Sequence, residues 1–299
     1  MESTIAVKET GKSKTDESFR NRILAGLPVT ERRLNLAGIP TVFLEGGDGP
    51  PIVLLHGHGE FAATWMRIFP KLVQTNRIIV PDLPGHGASG TGENPLDIKK
   101  VVRWLDELIE HTCTEPPVLA GHLLGGAIAL HYALSHSKNV QQLVLVDTLG
   151  LERYRPELKF FLAMVGFIIR PSDRSRDRLF RQCMLDLDDL HEQMDGRFQL
   201  LEKYALDRAK SPELKAALRM LMPAFAMKPI PDDQLSEIKI PVSLIWGRHD
   251  RQVKLQIAND ANKKYGWPLH VIDNSADDPA VEQPDAFLEA FYSIINRNR

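Results

Sequence analysis

The residues best equipped for chemistry in this 299-residue chain sit in a few short segments. LLHGHGE (54–60) and VPDLPGHGAS (80–89) place His56, His58 and His86 in glycine-rich turns, and VLAGHLLGGAIAL (118–130) carries His122 into a sharp turn before a helix. IWGRHD (245–250) ends in His249 and Asp250, and ADDPAVEQP (276–284) supplies Asp277 and Asp278. Imidazole and carboxylate are the usual carriers of acid–base catalysis and metal binding. His56 and His58 share a turn, but no second ligand cluster accompanies them, so neither a metal nor another cofactor is expected. Leu123, at the turn of the third segment, has no lone pair and no ionisable proton, which excludes covalent catalysis from that side chain.

The elements that must hold these turns follow from periodicity. Short apolar runs at 41–45, 51–56, 77–82, 117–121, 142–147, 241–247 and 268–273 read as strands. Helical patterns at about 61–74, 96–112, 124–136, 254–264 and 284–296 fill the gaps between them. Nearly all-apolar strands alternating with helices predict an α/β fold with a doubly wound, mostly parallel sheet. Between 151 and 231 helix-like segments follow one another with no convincing strand, which predicts a helical cap inserted over the carboxyl ends of the strands. The expected organisation is a flexible tail at 1–26, a core built from 27–150 and 232–299, and the cap at 151–231.

Composition narrows the partners. Thirty-seven Lys and Arg balance 39 Asp and Glu, a formal charge of −2, so whole-chain electrostatics favour neither nucleic acid nor an anionic membrane. A small-molecule ligand or substrate is the expected partner, and the oligomeric state is left open. The two cysteines, Cys113 and Cys183, fall in different parts of the predicted fold and read as free thiols of a reducing compartment. The first twenty residues lack the apolar stretch of a secretory signal, which suggests a cytoplasmic protein. FFLAMVGFII (160–169) is about half the length of a membrane-spanning helix and is expected to be a buried or pocket-lining helix.

In order and spacing, the three glycine-bearing segments resemble the α/β-hydrolase superfamily from about Leu27 to the C-terminus. The resemblance implies that the turn after the strand at 51–56 supplies an oxyanion-hole N–H, here that of His58, and that the PGHG turn is structural. It implies a nucleophile elbow in Gly121, His122, Leu123, Leu124 and Gly125, with the second oxyanion N–H on Leu124. Leu123 then stands at the nucleophile position. Shifting the frame to promote His122 would put Leu124 where a small residue is required. Asp250 matches the family's acid, and the register of Pro279, Glu282 and Pro284 puts Asp277 where the family carries histidine. His270, within a strand, and His249, beside the acid, are poor replacements.

Two functions remain open on this reading. The backbone oxyanion donors survive any side-chain change, and His58, His122, Leu123 and Leu124 would surround a small apolar carbonyl-containing ligand. If Asp250 and Asp277 approach as the family's acid and histidine do, their repulsion keeps one protonated, a general acid for non-covalent chemistry. Alternatively, Asp277 turns to solvent beside Asp278 and caps the next helix, leaving a catalytically silent ligand-binding or regulatory protein.

Overall fold

The computed structural model describes residues 14–296, with side chains from residue 18 onward. Its strands are β1 (Thr30–Leu36), β2 (Ile39–Gly46), β3 (Pro51–Leu55), β4 (Arg77–Pro81), β5 (Val118–His122), β6 (Gln142–Val146), β7 (Val242–Gly247) and β8 (Leu269–Ile272). They form one sheet in the order β1-β2-β4-β3-β5-β6-β7-β8. β2 is antiparallel to both neighbours, and from β4 to β8 every pair is parallel. The α/β fold with a mostly parallel, doubly wound sheet is therefore as expected.

Burial on both faces explains the all-apolar strands. Helices Ile98–Thr112 and Leu124–His136 bury Trp104, Leu105, Ile128 and Tyr132 in one core cluster, while Phe69, Phe287 and Phe291 belong to a second. Each such side chain removed from water contributes roughly 2 kcal/mol. The parallel register sets Leu55 beside Gly121, His122 beside Val146, and Val146 beside Ile245. The loops that follow β3, β5, β6 and β7 thus emerge together at one end of the sheet.

Between β6 and β7 the chain runs through helices Leu158–Ile169, Asp173–Cys183, Leu187–Gln193, Arg197–Lys210 and Pro212–Leu221, then a π-helical turn at Met222–Ala226.

One strand was not anticipated, and two expectations need correction. β1 was not legible, because TERRLNL has no apolar alternation; its charged side chains instead blunt an edge strand, with Arg32 reaching Glu45 at 3.4 Å. The tail expected at 1–26 contains a helix, Lys14–Leu24, held to the core: Ile23 is fully buried, and Arg20 pairs with Asp82 at 2.8 Å and Glu31 at 2.9 Å. Residues 1–13 of that expected tail lie outside the described residues. Finally, the helix at 158–169 is not a buried one, since it buries only Phe160, Ala163 and Phe167 and leaves its opposite face in solvent.

Candidate functional site

β5 ends in a strained turn. Leu123 has φ 46° and ψ −109°, a conformation that glycine tolerates and leucine does not adopt without support. Leu123 N–H donates to Val146 O at 3.1 Å, and Leu123 O accepts from Ala127 N and Leu149 N at 3.1 and 3.2 Å, so bonds on both sides hold the turn. Gly121 and Gly125 must be glycine, because a Cβ on Gly121 would lie 2.5 Å from Gly125 backbone and one on Gly125 would lie 2.4 Å from Leu55 O. The Leu123 side chain, 2% exposed, belongs to the same apolar cluster as Leu149, Leu221, Phe225 and Val253. Leu124 opens the following helix, so its N–H is among those without an intrahelical acceptor.

His122, one residue earlier, is the centre of a buried polar cluster. Its Nε2 donates to Asp277 O at 2.7 Å, and Nδ1 faces the Glu60 carboxylate at 3.4 Å. Burial opposes charge on the ring, but Glu60, backed by Asp278 and Asp277, outweighs it and raises the His122 pKa well above its ordinary value. Burial would likewise raise Glu60; the charged ring, His56 and the Gly57 N–H at 2.7 Å instead pull it down to about 2. Glu60 thus folds its carboxylate back over the glycine turn that follows β3. One oxygen each of Glu60 and Asp278 and one ring nitrogen of His122 lie within 4.8 Å of one another, a set of donor types able to hold a metal ion.

The second half of the cluster is a carboxyl pair between β6 and β7. Asp147, with φ 42°, is fully buried directly after β6, and its Oδ1 accepts from Gly247 N at 2.9 Å. Asp250 Oδ1 accepts from Gln252 N and Val253 N at 2.6 and 2.9 Å. The Oδ2 atoms of both residues are buried without a hydrogen-bond partner, and burial favours the protonated form of each carboxyl. Burial and then the charge of Asp250 push Asp147 far up. Burial raises Asp250 to about 7, against the pull of the Val253 and Gln252 N–H groups.

Asp250 thus has Asp147 as a carboxyl neighbour in addition to Asp277, and its charge acts on both. Asp277 is itself buried and donates its own N–H to Cys183 O at 3.0 Å. Burial and then the nearby Asp250 charge raise its carboxyl. The solvent-facing alternative fails for Asp277, and the helix cap is its neighbour Asp278, which accepts from Val281 N. Asp147 and Glu60 were missed by sequence reasoning, as was the place of Asp278 beside His122. Asp147 carried a signal, since an acid directly after the QLVLVD strand could have been set beside Asp250; nothing in the local sequence marks Glu60.

The remaining histidines divide by burial. His58 is half-buried, its Nδ1 has no partner, and burial lowers its pKa to about 4, so the ring is neutral. His56 accepts the Leu83 N–H at 2.9 Å through Nε2, which fixes the PGHG turn to β3. That turn is pinned again by Asp82, which accepts from Ala62 N and Ala88 N at 2.8 and 2.7 Å. His249 is exposed and does not enter the cluster. Cys113 and Cys183 are free thiols. Two surface depressions, of about 390 and 270 Å³, lie beside β8 and beside Leu185 and Glu282, and neither is lined by His122, Leu123, Asp147 or Asp250.

Comparison with known proteins places these features in context. Residues 52–290 match the family described as the alpha/beta hydrolase family. The chain is 24% identical over 280 residues to the 2-hydroxy-6-oxo-6-(2'-aminophenyl)hexa-2,4-dienoic acid hydrolase of Metapseudomonas resinovorans, covering 89% of this chain and 91% of that one. It is 31% identical over 226 residues to the magnesium-chelatase 30 kDa subunit of Rhodobacter capsulatus, covering 72% of this chain and 75% of that one. A carboxylesterase from Bacillus subtilis superposes with a TM-score of 0.81 at 19% identity, over 94% of this chain and 97% of that one.

Proposed function

Because the chain belongs to the α/β-hydrolase family, we propose that it binds a small, largely apolar carbonyl-bearing molecule at the carboxyl end of the sheet without forming a covalent acyl intermediate. One observation carries the reading: the strained apex that the fold uses to project a nucleophile is occupied by Leu123, 2% exposed in an apolar cluster. In this reading 27–150 and 232–299 act as the core and the helices of 151–231 as a cap over the ligand. The backbone N–H groups of His58 and Leu124 would meet the carbonyl oxygen. The substrate class follows from the relatives, one of which is named for hydrolysing a dienoic acid that bears an oxo group.

A second reading, proton transfer without a covalent step, is favoured by the Asp147–Asp250 pair. A carboxyl raised to about 7 holds a proton where a serine hydrolase would run acid–base chemistry. Asp277, also raised, would be the next group in the relay.

Fluorophosphonate labelling together with native mass spectrometry of the purified protein tests the proposal. No covalent adduct and a co-purifying small carbonyl compound or carboxylic acid are expected. Stoichiometric labelling at one serine would sink it. Turnover of a bound ketone or unsaturated acid that is abolished in Asp250→Asn would move the second reading ahead.

A further inference from the structure

Apart from Lys159, the helix Leu158–Ile169 is apolar on every side. Phe160, Ala163 and Phe167 face the protein, whereas Leu158, Phe161, Leu162, Ile168 and Ile169 recur at helical spacing on the opposite side. Leu158 is 70% exposed, Leu162 59% and Ile169 77%. A globular helix ordinarily turns charged residues to solvent, and a contiguous apolar stripe of this kind marks an interaction surface.

The surroundings of the stripe identify what covers it. Between 152 and 181 there are eight Lys and Arg against four Asp and Glu, in a chain whose overall charge is −2. The next helix, Asp173–Cys183, contributes Asp173 and Asp177, but both are bound by Arg176, at 2.7 and 2.6 Å. Exposed Lys159, Arg170, Arg174 and Arg178 therefore carry the charge of this region. An apolar stripe beside unneutralised cations matches an anionic lipid surface, which takes the apolar side chains among its acyl chains and the cations at its headgroups. A second copy of this chain fits less well. A two-fold interface would press this patch against itself and bring like charges together.

The geometry points to a membrane-surface site: the helix Leu158–Ile169 lies in the interface of an anionic bilayer, with Lys159, Arg170, Arg174 and Arg178 at the headgroups. No described helix is long and apolar enough to cross a bilayer. The site does not depend on what the residues around His122 do.

Co-sedimentation of the full chain with vesicles tests this. Vesicles of phosphatidylcholine plus phosphatidylglycerol should retain the protein, pure phosphatidylcholine vesicles should retain about tenfold less, and added salt should release it. Leu162→Ser with Ile169→Ser should cut retention by about tenfold or more, with unfolding little changed because both side chains are mostly exposed. Lys159→Glu with Arg174→Glu leaves the stripe intact and should abolish the preference for phosphatidylglycerol. Equal retention on the two vesicle types, undiminished binding in either double variant, or a dimer in buffer that ignores both vesicles would each overturn the assignment.

Discussion

His122 Nε2 donates to the backbone carbonyl of Asp277 at 2.7 Å, which ties the end of β5 to the loop after β8 through one imidazole ring. Its other nitrogen faces Glu60 at 3.4 Å. A ring held protonated with both N–H groups directed at oxygens has no lone pair with which to accept a proton. Its raised pKa favours that charged form, in which the ring ties the strand to the loop.

The elbow makes an ordered prediction about stability. Leu123→Ala should cost about 3 kcal/mol, because it removes a buried side chain from the apolar cluster and keeps the strained backbone. Leu123→Gly removes more side chain but also the penalty of positive φ, worth roughly 1 kcal/mol. Urea unfolding should therefore rank glycine above alanine here. The reverse order would mean that the turn is not strained.

Restoring the family's reactive residues should restore chemistry only in combination. Leu123→Ser with Asp277→His should introduce measurable hydrolysis of a short activated ester, with little from either change alone. A serine needs a base within reach, and that base needs a carboxylate such as Asp250 to orient it. Equal rates in the two single variants would show that the elbow and the loop after β8 are misassigned.

The Asp147–Asp250 pair should make stability fall with rising pH. An aspartate that titrates near 3.8 when unfolded and at about 7 when folded retains its proton through that interval only in the folded chain. The stabilisation is complete below the unfolded value and is lost as pH rises to and through the folded one. Denaturation midpoints measured between about pH 4 and about pH 8 should decline in the parent and flatten in Asp250→Asn. Parallel curves would rule out the raised Asp250 carboxyl.

Glu60 should act with the opposite sign. Its carboxyl falls from 4.5 to about 2 on folding beside His122, so its contribution is present above the unfolded value and fades as pH drops toward 2. Glu60→Gln should flatten that acid limb and lower the pKa of His122, read by NMR of the ring protons. A His122 titration unchanged by the substitution would remove Glu60 as the source of its charge.

Much of the architecture was legible because it depends on local pattern. The apolar strands, the helices between them and the glycines at 121 and 125 carry their own periodicity and steric need, and these fixed the sheet and its family resemblance. β1 was missed, since a charged edge strand has no period to read, and so was the helix Lys14–Leu24, whose anchor is a contact between Arg20 and the distant Asp82. The placement of Leu123 at the apex of the turn after β5 was also legible, because it lies in one continuous segment. The polar cluster was not. Which carboxyl meets Asp250 depends on the register of β6 against β7, and which groups flank His122 depends on where the loops after β3 and β8 return. Sequence alone named Asp250 and Asp277; the tertiary structure put Asp147 beside the first and the main chain of the second against His122, because partners so far apart along the chain are chosen by packing and by the need to compensate buried charge.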